Sequence, residues 1–176
     1  MNVQQLGLLT GAALTALVFL TACSGSREPG PDPSLSAAPP VDQAEARSPK
    51  ALLAEEVKTD LEKRLGVHES EFGSGTGSAC STRSATMFTQ ECATTAAATA
   101  EDAAFALTKT EGHEGFATLR SVAAKIQTSV SDYRRLKCAS GPENPEVRDS
   151  CLAPAAVIAG AFPELRGGAN LGLAGK

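Results

Sequence analysis

Leu119, Ala123, Ile126, Val130, Tyr133 and Lys137 follow one another in alternating steps of four and three, with Phe116, Val122 and Leu136 beside them. Side chains at that spacing share one face of an α-helix. The stripe is a bundle-type seam, and it must be covered by other helices. The spacing predicts a helix from about Glu114 to Ala139. Glu114 stands at its positive end and Arg134, Arg135 and Lys137 at its negative end, as the helix dipole favours. Gly141-Pro142 stops it.

The covering helices are legible around this one. Ser48-Pro49 is a helix start, with Ser as N-cap and Pro at the first position. Leu53, Val57, Leu61 and Leu65 then recur every four residues, Asp60 and Arg64 are spaced for a surface ion pair, and Gly66 is expected to end the run. Residues 67–79 read as a polar Gly/Ser loop. A second helix is expected from about Arg83 to Lys109 with the stripe Phe88, Cys92, Ala96, Ala100, Ala103 and Leu107. Its alanines favour helix, while Thr94, Thr95 and Thr99 lower the propensity. Asn144-Pro145-Glu146 opens a fourth helix with cap, proline and acid in order. Val147, Cys151, Ala155, Ile158, Phe162 and Leu165 form its stripe. Pro154 is expected to kink it or mark a break, and Pro163 marks a second break or the start of a short last helix. No run of strand periodicity stands out.

Four amphipathic helices in residues 50–176 predict an all-α domain, a single four-helix bundle with room for a short fifth helix at its C-terminus. Its core is built from little. The chain has 31 alanines, one Tyr, six Phe and no Trp, and alanine buries little apolar area per residue.

The N-terminal part is different. The first 26 residues carry no charged side chain, and Leu6 to Leu20 is an apolar run of h-region length ending in Leu20-Thr21-Ala22-Cys23. This segment resembles the bacterial lipoprotein signal peptide, whose lipobox reads Leu, a small residue, Ala or Gly, then Cys. The resemblance implies that residues 1–22 are removed and that Cys23 carries a thioether-linked diacylglycerol as the new N-terminus. The protein would then be lipid-anchored on the extracytoplasmic face of the cell membrane. Two or more acyl chains, at ~0.8 kcal/mol per buried methylene, hold a protein firmly where one would not. Residues 24–49 hold six of the ten prolines and almost no large apolar residue. Such a composition reads as a disordered linker that lifts the domain off the bilayer. About 25 residues reach ~28 Å as a flexible coil and ~75 Å when extended.

Setting Cys23 aside leaves Cys80, Cys92, Cys138 and Cys151, an even set in an exported chain, and two disulfides are expected. Intervening lengths of 11, 45 and 12 residues lack the Cys-x-x-Cys knuckles of a zinc site. In an up-down bundle all four cysteines fall at one end. Counting from a second helix that starts at Arg83, Cys92 lies ~13 Å deep and Cys151 ~9 Å. Depth matching then favours Cys80–Cys138 with Cys92–Cys151. Sequential pairing, Cys80–Cys92 with Cys138–Cys151, stays open if the second helix starts late or the loop between the third and fourth helices is wound.

Candidate chemistry is sparse. His68 and His113 are expected in turns, neither with a helical ligand pair such as His-Glu-x-x-His, and read as solvated. There is no Gly-x-Ser-x-Gly elbow and no Walker lysine, and the alternating Gly73, Gly75 and Gly77 do not make a phosphate loop. Tyr133 reads as core, and Arg134, Arg135 and Lys137 as a solvated helix end. A net charge of −4 without a basic stripe argues against nucleic acid as a partner. No cofactor, metal site or catalytic set is expected. The domain is similar to small Ala-rich lipoproteins of high-GC bacteria through Tyr133-Arg134-Arg135-Leu136-Lys137-Cys138, Asp149-Ser150-Cys151 and Leu165-Arg166-Gly167-Gly168, a resemblance that implies no activity. The sequence-level expectation is a non-enzymatic binding or structural module of the envelope. The alternative is a small-ligand or metal binder. The membrane, reached through the lipid on Cys23, is the one partner implied.

Overall fold

The computed structural model describes residues 48–175. Residues 1–47, on which the expected signal peptide, Cys23 and most of the expected linker fall, lie outside them. Every regular element among the described residues is helical: α1 (Pro49–Phe72), α2 (Gln90–Thr110), α3 (Ala117–Arg135), α4 (Pro145–Ala159) and α5 (Ala161–Leu173), with 3-10 turns at Gly75–Gly77, Ala85–Phe88 and Cys138–Ser140. The expected fourth helix is therefore two. It runs through Pro154 without breaking and ends at Gly160, after which α5 starts with Pro163 in its first turn. That last helix is no appendage. α5 packs on both α1 and α3, and α2 packs on the same two, so α1, α2, α3 and α5 close a ring around one core.

α1 begins as its sequence dictates, with the Ser48 hydroxyl accepting from Ala51 N at 3.2 Å. It does not stop at Gly66. Gly in a helix costs about 1 kcal/mol relative to Ala, and here tertiary contacts of His68, Glu69 and Phe72 carry the helix on. The stop is Gly73, with φ 67°. A Cβ there would strike the Gly77 carbonyl oxygen.

α2 starts later than its alanine content suggests. Ser84 caps the 3-10 turn, and Thr89 caps α2 by accepting from Glu91 N at 3.3 Å. Of the expected stripe, Cys92, Ala96 and Ala103 are buried, but the buried face extends to one side of it. Thr95, Thr99, Asp102, Ala106 and Thr110 are buried, while Ala100 and Leu107 lie partly exposed. Threonine can be buried here because its hydroxyl returns to its own helix: Thr95 to Glu91 O at 3.1 Å, Thr99 to Ala96 O at 3.0 Å and Thr110 to Ala106 O at 2.8 Å.

α3 buries Leu119, Ala123, Ile126, Val130 and Tyr133, the stripe read from its sequence. It is shorter than expected at both ends. Glu114 lies in the preceding turn, and Lys137 follows the helix in a left-handed conformation, φ 55°. α5 approaches α3 closely because Gly168 has no side chain; a Cβ there would stand 2.9 Å from Leu119 Cα.

The disulfides are sequential. Cys80–Cys92 has a Cα separation of 4.7 Å and Cys138–Cys151 one of 5.8 Å. The crossed pairing is corrected, and the reason is the start of α2. Cys92 lies in the first turn of a helix beginning at Gln90, not deep in one beginning at Arg83, so the loop cysteine Cys80 reaches it. The clustering of all four cysteines at one end does hold. Gly141 beside Cys138 lies against the Phe88 carbonyl, and Tyr133 OH donates to Met87 O at 2.6 Å. α4 meets the 73–89 loop with both ends: Arg148 lies 3.9 Å over the Phe88 ring, and Ala156, Ala159 and Gly160 face Gly75, Ser81 and Arg83. The opposite end holds the start of α1, the turn at Gly115 and the end of α5, with Lys50 against Gly115 and Gly175.

Candidate functional site

The polar centre of the molecule lies between α1 and α2. Asp102 has no solvent exposure. A carboxylate so placed must be paired, because the unpaired charge would cost several kcal/mol, roughly 3–5 by analogy with broken buried pairs. Two residues of α1, one turn apart, supply the partners. Arg64 Nε donates to Asp102 Oδ1 at 3.1 Å, and His68 Nδ1 lies 2.8 Å from Oδ2. An ionised carboxylate only accepts, so the proton of this contact sits on His68 Nδ1. The His68 ring faces Phe72 and Phe162 at 6.0 and 6.4 Å between centroids.

Around this trio lies an open depression of about 480 Å³ lined by Asp60, Lys63, Arg64, Val67, His68, Phe105 and Lys109. The Arg64 guanidinium carbon is 4.9 Å from the Phe105 ring centre and Lys109 Nζ 5.7 Å. Lys109 also bonds Asp60 at 2.7 Å and Glu56 at 3.3 Å. Those carboxylates, Asp60 first, raise the proton affinity of its ammonium. On the other side of α1, Arg166 of α5 bonds Glu62 at 2.9 Å and Glu69 at 2.8 Å. The Ser74 hydroxyl donates to Glu69 at 2.7 Å. Ser74 and then Arg166 hold the Glu69 carboxyl below the usual carboxylate range.

Several expectations are revised by this arrangement. His68 is no turn residue; it sits on α1 with 21% of its side chain exposed. Asp60 and Arg64 do not pair with each other: each takes a partner on α2. His113 lies exposed in the α2–α3 turn, as expected, far from His68 in sequence and outside the depression. Tyr133 is core, and burial pushes its phenol up to about 12. Arg134 and Arg135 close the last turn of α3. Asp102 is absent from the residues that the sequence marks as candidates. The signal was there in its spacing: Thr95, Thr99, Asp102 and Ala106 run at steps of four, three and four, a helical face.

A larger depression, about 590 Å³, lies where the 73–89 loop meets α2. Its hydroxyls are largely spent within the chain, Ser84 on Thr86 at 2.6 Å and Thr86 on Ala79 O at 2.9 Å. Among the described residues no group of three His, Cys, Asp or Glu side chains is placed to hold a metal ion. No protein-family model, no curated protein and no solved structure matches the chain.

Proposed function

We propose that this chain is a membrane-anchored lipoprotein of the extracytoplasmic face, whose helical domain acts as a non-enzymatic binding or structural module of the cell envelope. One observation carries the reading: Cys23, at the end of Leu20-Thr21-Ala22-Cys23, is the single cysteine left over once Cys80, Cys92, Cys138 and Cys151 have paired among themselves. Two disulfides suit an oxidising compartment, and a lipobox cysteine suits an acyl anchor. The domain is a four-helix bundle of α1, α2, α3 and α5, with α4 packed on α3 and reaching the disulfide end through Cys151. The linker enters at Ser48, and α1 of 24 residues runs about 36 Å at 1.5 Å per residue. The stapled end is thereby presented away from the point of attachment.

Mass spectrometry of the membrane-extracted protein tests this. The expected N-terminus is Cys23 bearing a diacylglyceryl group, and Cys23→Ala is expected to leave a longer, unlipidated precursor. Recovery of membrane protein that begins at Met1, or that holds an unmodified Cys23, overturns the reading.

A further inference from the structure

We propose that the depression between α1 and α2 binds a small organic carboxylate that also carries a hydroxyl or amine donor, with its apolar body over Phe105 and Val67. The inference goes beyond the envelope-module reading and does not depend on lipidation of Cys23.

Arg64 sets the anion position. A guanidinium offers five N–H donors in a planar fork. Asp102 takes only Nε, and no other hydrogen bond of Arg64 is made among the described residues. The Nη groups, on a side chain 37% exposed, are left to the depression. Two parallel donors of this kind match a planar carboxylate. Asp102 does not compete for the place, because it is wholly buried with both oxygens engaged from the α1 side. It orients the donors instead.

His68 sets the second polar contact. With Nδ1–H committed to Asp102, Nε2 is the ring atom left to a ligand, an acceptor in the tautomer that this contact sets. No partner for it is present among the described residues. An acceptor beside a guanidinium fits a ligand in which a hydroxyl or amine stands next to the carboxylate.

Phe105 and Val67 set the third. Val67 is 61% exposed although large and apolar, and the half-buried Phe105 lies beside it in the same depression. Covering them removes apolar area from water. Charge selects the valence. Glu56, Asp60 and Asp102 balance Lys63, Arg64 and Lys109, and Lys63 is the one of these six without an ion pair among the described residues. With the six cancelling, a monoanion beside Lys63 leaves one net negative charge in the depression and a phosphate dianion two, which favours the monoanion.

The test uses the full chain in an uncharged detergent, with NMR of the Arg64 and His68 side-chain nitrogens. Mandelate is the probe: a carboxylate, a neighbouring hydroxyl and a phenyl ring. It is expected to shift both signals saturably at millimolar concentration. Removing the charge (mandelamide) is expected to weaken binding about tenfold or more, as loss of a charge-assisted pair does. Removing the hydroxyl (phenylacetate) should weaken it about threefold, the worth of one modest hydrogen bond. Arg64→Lys, which keeps a cation for Asp102 but loses the fork, is expected to cost about tenfold. Should that variant fail to fold, Val67→Ser at the exposed rim is expected to weaken mandelate about threefold through lost apolar contact. Absence of a saturable shift overturns the proposal, as does equal binding of mandelate and mandelamide. Inorganic phosphate displacing mandelate at equal concentration overturns it too.

Discussion

α2 and α3 lie side by side and close the same core, but they do it by different chemistry. α3 buries an unbroken apolar stripe, Leu119 to Tyr133. α2 buries threonines, alanines and a carboxylate. The α3 face is held mainly by shape and area, with one directed contact along its stripe, Tyr133 OH to Met87 O at 2.6 Å. The α2 face gains less from area, since Thr and Ala are small, and is held by directed contacts instead: Asp102 with Arg64 and His68, Lys109 with Asp60, and the disulfide at Cys92. Directed contacts fix register. A slide of α1 along α2 by one turn would strand a buried charge, whereas a slide along an apolar seam costs only packing. The lesson is that an alanine-rich helix can be locked in one place by a single buried acid.

Removing the covalent ties at the end both helices share is expected to have the largest effect. Each disulfide closes a short loop, of sequence separation 12 and 13, and the chain-entropy model rates such a loop at ~3 kcal/mol. Replacing all four cysteines by Ala is thus expected to lower stability by about 5–6 kcal/mol, measured by denaturant unfolding. Non-reducing peptide mapping checks the pairing, and a linked Cys92–Cys151 peptide would show that α2 starts earlier than Gln90.

Next comes the buried acid. Arg64→Ala leaves Asp102 with His68 alone and is expected to cost about 3 kcal/mol. A loss below about 1 kcal/mol would mean that α2 is held by its alanines after all.

Tyr133 tests the α3 side. Tyr133→Phe frees the Met87 carbonyl and is expected to cost about 1–2 kcal/mol. The same phenol makes a pH prediction. Its folded value is raised by burial from 10.0 to about 12. The protonated form is thus favoured by the fold, so the stabilisation is complete below pH 10 and is lost as pH rises from there towards 12. As the chain has one Tyr, phenolate absorbance reports this residue alone. Ionisation near the ordinary value without unfolding would place Tyr133 outside the core.

The smallest expected effect is a gain. Nothing lies within 4 Å of where a Cβ on Gly66 would stand. Gly66→Ala is expected to stabilise by up to about 1 kcal/mol, visible as a raised melting temperature. A loss would mean that α1 needs its glycine to bend onto α2.

The candidate site was only partly legible beforehand. Arg64 and Asp60 drew notice as a local pair, since four residues apart on a helix is a sequence-level signal, and the structure gave each of them to α2 instead. Gly66 looks like a helix end, and that puts His68 in a turn when only the sequence is considered. Asp102 shares a helical face with Thr95, Thr99 and Ala106, but its partners lie 38 and 34 residues away, and spacing along one helix does not name them.

What the sequence determined by itself was whatever depends on neighbours within a few residues. The all-helical class, the buried face of α3, and the caps at Ser48 and Asn144 follow from spacing and from short-range hydrogen bonding. Tertiary structure decided the rest. It carried α1 past Gly66, widened the buried face of α2 to take in Asp102, made α5 a full member of the ring, and paired each cysteine with its nearer neighbour. Propensity and periodicity act over one or two turns. A disulfide or a buried ion pair is decided by where a helix begins to within a turn, and by which distant side chain the folded backbone brings within 3 or 4 Å.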